Sequence, residues 1–128
     1  MSKIFFALIF ALAATAVFAR EAIEDQRIEY LIGVIQNMRD ATFIRNGTPY
    51  DGQHAADHMR LKLRYAGSKV QTAEEFIVCC GTGSSMSGQP YLIKLPDGKT
   101  TASAEFLRAK LAEFNDQNTH SAPPPRPR

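Results

Sequence analysis

The sequence predicts an α+β domain: a small, mostly helical unit of about four helices with a small antiparallel sheet. Three observations lead there. Apolar residues recur at helical spacing in residues 21–39, 51–66 and 103–116. Thr42-Phe43-Ile44 and Tyr91-Leu92-Ile93-Lys94-Leu95 have strand-type composition instead. Asn46-Gly47 and Pro96-Asp97-Gly98 then place a turn just after each strand.

Residues 1–19 are set apart from that domain. Lys3 precedes a continuous apolar run over residues 4–18, and Val17 and Ala19 are small residues of the kind found at a cleavage site. The pattern is that of a secretory signal cleaved after Ala19, too short and wrongly flanked for a spanning helix. Export to the periplasm, or secretion, is expected, with no stable membrane insertion after cleavage. Removing 19 of the 128 residues leaves 109, one domain's worth of chain. The domain is placed at residues 20–116, followed by a disordered tail at 117–128 that ends in SAPPPRPR.

Within the domain the first helix is expected over 21–39, its stripe formed by Ile23, Tyr30, Leu31, Val34, Ile35 and Met38. Arg27 falls inside that stripe, either as a snorkelling stem or as a buried cation paired with a carboxylate. Thr42–Arg45 form a strand, and Asn46-Gly47 turn the chain because both residues tolerate positive φ. Asp51 is a fitting N-cap and Gly67 a fitting stop for the second helix. That helix has a core face of Ala55, Met59, Leu63 and Ala66. A second side carries His54, His58, Leu61 and Tyr65, the pattern of a helix that is sandwiched or flanks a cleft.

Thr72 and Glu75 form a capping box that opens a short helix through Cys80, with Ala73, Phe76, Ile77 and Cys80 inward. Adjacent residues do not face each other on a helix, so Cys79 and Cys80 are expected not to pair within the chain. Residues 81–88 are a Gly/Ser-rich loop. Tyr91–Leu95 form a strand, and Lys99–Thr101 are placed as a brief partner. The last helix, 103–116, turns Phe106, Leu107, Leu111 and Phe114 inward.

Charge narrows the function classes. The whole chain has 15 basic and 13 acidic side chains, and the leader takes only Lys3 with it. A net charge near +1 lacks the basic excess that a nucleic-acid binder needs. No metal site and no cofactor are expected: His54 and His58 share a helix face at i and i+4, but a third ligand is missing.

Three stretches together resemble one family: Phe43-Ile44-Arg45-Asn46-Gly47, His58-Met59-Arg60-Leu61-Lys62, and Thr72–Ile77 running on to Ser84–Tyr91. Their order and spacing are similar to the YfeK-like proteins, small exported bacterial proteins of unknown function, from about Glu21 to Phe114. The resemblance implies a Gram-negative periplasmic address and brings no activity.

The candidate ligand-binding residues are Arg45, Asn46, His58, Arg60, Ser85, Ser87 and Tyr91. Two paired strands bring Arg45 and Asn46 beside the serine loop, and the second helix adds His58. Arg45 supplies fixed charge, with Arg60 as a further cation; Asn46 and the serines supply hydrogen bonds, and Tyr91 an aromatic wall. A non-catalytic binding or inhibitory protein for an envelope protein, peptide or glycan is the leading expectation. A small hydrolase using His58 with Ser85 or Ser87 is the first alternative, and it requires a His58 nitrogen at a serine oxygen or one water away from it. Ser87-Gly88-Gln89-Pro90-Tyr91 also fits the short S-G-x-x-Y pattern of exported lysozyme inhibitors, a second alternative.

Overall fold

A computed structural model describes residues 22–121. The expected leader and the proline run lie outside the described residues. Helix α1 spans residues 22–36. Strands β1 (Thr42–Arg45) and β2 (Thr48–Tyr50) follow, then helix α2 (Gly52–Ala66) and a single 3-10 turn. A short helix α3 (Ala73–Phe76) continues into one π-helical turn, Ile77–Gly81. Strands β3 (Leu92–Lys94) and β4 (Thr100–Ala102) lead into helix α4 (Ser103–His120). This is the α+β class read from the sequence. Among the described residues no helix is long and apolar enough to cross a membrane.

The sheet is antiparallel throughout, in the order β2-β1-β3-β4. Asn46 (φ 52°) and Gly47 (φ 76°) are the two residues between Arg45 and Thr48. Two successive positive φ values fit the tight hairpin that an Asn-Gly pair favours. Strand β2 is not among the strands expected from sequence. Pro49 removes one ladder donor, and at a sheet edge that loss is tolerated.

The core lies between the sheet and the helices. Phe76, Leu31, Ile32, Ile35, Ile77, Ile93 and Leu107 are fully buried. On α1 the buried stripe is Ile28, Leu31, Ile32 and Ile35, at i, i+3, i+4 and i+7. Tyr30, Val34 and Met38 flank it, while Ile23, assigned to the stripe from sequence, is 47% exposed. Arg27 resolves as a paired cation: it donates to Glu24 at 2.5 Å and to Asn115 Oδ1 at 3.0 Å, tying α1 to α4. Glu24 also accepts the Ala73 amide at 2.8 Å, so one carboxylate anchors the start of α3.

Both expected caps form. Asp51 accepts from the His54 amide at 2.8 Å, and the Gly67 amide donates to Leu63. Thr72 accepts from the Glu75 amide at 3.1 Å. Helix α4 runs to His120, four residues beyond the expected end, so the segment assigned to the tail begins as helix. Cys79 and Cys80 are both free thiols. Burial, then the Cys79 neighbour, pushes the Cys80 thiol up to about 12.

Candidate functional site

The site assembles from the end of β1, the first turns of α2 and the start of β3. Arg45 leaves β1 and places Nη1 2.7 Å from His58 Nδ1 and 2.9 Å from Nε2. Its Nη2 donates to the Tyr50 hydroxyl at 3.2 Å, and its guanidinium lies 5.1 Å from the centre of that ring. His58 Nε2 is 3.2 Å from the Tyr91 hydroxyl. Lys62, one helical turn after His58, donates to the same hydroxyl at 3.3 Å and to the Gly83 carbonyl at 3.0 Å. The spacing of α2 explains the convergence, since residues four apart stack on one helix face.

The chain of contacts holds two permanent cations and no carboxylate. Neither Arg45 nor Lys62 forms an ion pair among the described residues, although Arg27, Arg60, Arg108 and Lys110 all do. Burial, and then the charges of Arg45 and Lys62, hold His58 below the usual imidazole range. The neutral ring suits its position: one nitrogen accepts from Arg45 while the other donates to Tyr91.

A second cluster joins the Asn-Gly hairpin to the serine loop. Ser87 Oγ donates to Asn46 Oδ1 at 2.5 Å, and Asn46 Nδ2 donates to Ser84 Oγ at 3.3 Å. Ser84 Oγ also accepts the amides of Met86 and Ser87 at 3.3 Å. These bonds bring Asn46 to Ser87 and to Ser84, the buried serine that organises the loop and is not among the candidate ligand-binding residues. A Ser-rich turn always offers several candidate hydroxyls, and only burial separates them.

Beside Arg45 the surface opens into a cavity of about 170 Å³. Phe43, Ile44, Ala55, Met59 and Leu92 give it apolar walls. Arg45, Tyr50, His54, His58, Tyr91 and Ser103 contribute its polar lining. Ser103 is 1% exposed, and its Oγ has no hydrogen-bond partner among the described residues. The Ser103 amide donates to the Tyr91 carbonyl at 2.9 Å, which fixes where that hydroxyl sits. Tyr50 and Ser103 were both missed from sequence. Each reaches the site only through strand pairing, Tyr50 opposite Phe43 and Ser103 beside Tyr91.

Two sequence candidates are not brought to this cluster. Arg60 donates to Gln36 Oε1 at 2.7 Å and pairs with Asp57 at 3.6 Å, serving the α1–α2 contact. Ser85 is exposed and makes no side-chain bond to the cluster. No direct His58–serine bond is formed: the side-chain partners of His58 are Arg45 and Tyr91, and the hydroxyls of Ser84 and Ser87 are turned to Asn46 and the loop. In the S-G-x-x-Y stretch, Ser87 is exposed but Tyr91 is 8% exposed, so the two do not share a free surface. His54 bonds Asp51 (Nδ1–Oδ1 2.7 Å) and lines the cavity without bonding His58 or its partners. No group of three His, Cys, Asp or Glu side chains suited to a metal ion occurs among the described residues.

Comparison with known proteins agrees with the motif pattern. A family of unknown function (DUF5329) matches residues 22–115, which spans every element of the site. The uncharacterized protein YfeK of Salmonella typhimurium is 36% identical over 92 residues, covering 71% of this chain and 77% of the relative. No solved structure matches. With its motifs, its matched span and this relative all in accord, the chain belongs to the YfeK-like DUF5329 family of unknown function.

Proposed function

We propose that this is an exported periplasmic protein whose role is non-catalytic: it binds or inhibits an envelope protein, peptide or glycan. The observation that carries this reading is the uncompensated charge of Arg45 on the wall of a largely apolar cavity. A cation held by a neutral imidazole and a phenol keeps its charge available to a ligand. The Asn46–Ser87 contact sets the hairpin that follows Arg45 and the serine loop side by side. Fixed polar groups around an apolar hollow are the usual composition of a recognition site.

The test is partner capture from periplasmic extract with wild type and Arg45→Ala as baits. A partner retained by wild type and lost by the variant is the expected result. Equal recovery of every partner by both baits would remove Arg45 from the site. Export is checked separately by mass spectrometry of the periplasmic fraction, where the expected chain begins at Arg20. An intact Met1 chain held in the membrane fraction would overturn the periplasmic address.

A further inference from the structure

The contacts around Arg45 are rich in donors and poor in acceptors. Every polar hydrogen of Arg45 and Lys62 is a donor, and neither side chain can accept. Against them stand one nitrogen of the neutral His58 ring, the phenol oxygens of Tyr50 and Tyr91, and the Gly83 carbonyl. Arg45 Nη1 goes to His58 and Nη2 to Tyr50, while Nε has no partner among the described residues. Ser103 Oγ is the one buried side-chain polar atom among the described residues without a partner, so the unpartnered Nε of Arg45 is open to solvent. The Tyr50 hydroxyl accepts from Arg45 and keeps its own hydrogen to donate. Such a set of donors is completed by an oxyanion, which accepts and does not donate.

The same two side chains stand on the wall of a cavity between α2 and the sheet. Phe43 and Arg45 are two apart on β1 and share one face, and Tyr50 pairs with Phe43 across the hairpin. Ala55 and Met59, one turn apart on α2, line the cavity from the helix side. Lys62 bonds Tyr91 and Gly83 and does not line it. A ligand there meets one permanent cation in a largely apolar surround. That suits a monoanion, because a phosphate dianion gives up more hydration on entering such a hollow. A cavity of about 150 Å³ accepts one benzene ring, so 170 Å³ takes an apolar group of about that size.

We infer that the cavity is a subsite for a carboxylate borne on a compact apolar group. The carboxylate pairs with the Arg45 guanidinium and accepts from the Tyr50 hydroxyl, and the apolar group packs against Phe43, Ala55 and Met59. Two sources offer this chemistry: a small free acid, and the C-terminal residue of a peptide with an apolar side chain. The inference rests on the binding role proposed above and names the group that is recognised.

The experiment titrates the purified exported protein with five probes, read by amide NMR shifts and calorimetry. They are 4-methylpentanoate, 4-methylpentanamide, acetate, inorganic phosphate and an acetylated Gly-Gly-Leu peptide with a free C-terminus. The branched acid is expected to bind with a Kd of about 1 mM or below and to shift the Phe43, Ala55 and Met59 amides. The amide lacks the charge and acetate lacks the apolar group, so each should bind about tenfold or more weakly. Arg45→Gln should weaken the acid about tenfold or more, and Tyr50→Phe by a smaller factor, since one neutral donor is lost. Ala55→Leu keeps every polar group and suits a helix, but it fills the hollow and should block acid and peptide alike.

Tighter binding of the peptide than of the free acid assigns the site to a chain terminus; the reverse order assigns it to a small molecule. The inference is overturned if neither acid nor peptide binds at about 10 mM, or if the amide, acetate or phosphate binds as tightly as the acid. It is equally overturned if Ala55→Leu leaves acid binding intact. Should Arg45→Gln fail to fold, the wild-type probe series and Ala55→Leu decide the matter. Failure of these probes alongside Arg45-dependent partner capture would sink this inference alone. Specific probe binding with equal partner recovery by wild type and Arg45→Ala would sink the broader reading and leave the subsite standing.

Discussion

Ser103 and Ser84 are the two buried serines among the described residues, and they stand in opposite situations. Ser84 Oγ accepts from two backbone amides and from Asn46, so it satisfies donors that its removal would strand. Ser84→Ala is expected to cost about 1–2 kcal/mol, read as a lower urea midpoint with an unchanged slope. Ser103 Oγ satisfies nothing. Ser103→Ala should leave stability unchanged or raise it by as much as about 1 kcal/mol, because a stranded hydroxyl leaves an apolar wall. A loss above about 1 kcal/mol in Ser103→Ala would mean that its hydroxyl has a structural partner after all.

At the scale of elements, two glycines show how α2 and the π turn are seated. A side chain at Gly52 would meet the Ile35 carbonyl, with the Met38 carbonyl at 3.0 Å. These atoms are backbone and cannot rotate away, so Gly52→Ala should cost about 1–3 kcal/mol and displace the start of α2. At Gly81 the added carbon would meet Leu107 Cδ1 at 2.5 Å, the far end of a flexible side chain. Gly81→Ala should therefore be the milder of the two, with thermal melts of both variants giving the order; the reverse order would refute the packing argument. Elements with local signals were legible from sequence: Thr42–Arg45 with its Asn-Gly turn, α2 with Asp51 and Gly67, and the Thr72–Glu75 box. Those with nonlocal causes were not. Strand β2 exists because β1 offers an edge, against the weak strand character of Thr48-Pro49-Tyr50. The extra turn of α4 is carried by side chains bonding back to the helix, as Asn118 does to Phe114 and Thr119 to Asn115. Arg45, His58 and Tyr91 were found because their elements pair by simple topology. Tyr50 and Ser103 required the register itself, which a single sequence does not display.

The folded molecule collects charges that lie far apart in the chain, and this sets its response to pH. Arg45 from β1 and Lys62 from α2 sit around His58 with no carboxylate in the contact set. Burial disfavours the charged ring, and the neighbouring charges of Arg45 and Lys62 add to the effect, so the imidazole is depressed from its ordinary 6.5. The unfolded chain, with an ordinary imidazole, takes up a proton near that value while the folded chain does not. Below it the unfolded state binds more protons, so stability falls as the pH drops from about 6.5 toward the lower folded value, then levels off. Asp51 adds a loss of the same sign in a more acidic range. The His54 amide and ring hold its carboxyl low, so its contribution is present above about 3.8 and lost in a separate, more acidic window. Urea denaturation at pH 7.5, 6.5, 5.5, 4.5, 3.5 and 2.5 separates the two groups. His58→Gln should flatten the decline between pH 6.5 and 4.5 without touching the loss at lower pH. Asp51→Asn should do the reverse, since it keeps a capping oxygen but removes the titrating group. A decline of equal slope in His58→Gln would place the sensitivity elsewhere and leave the Arg45–His58–Lys62 cluster without electrostatic consequence.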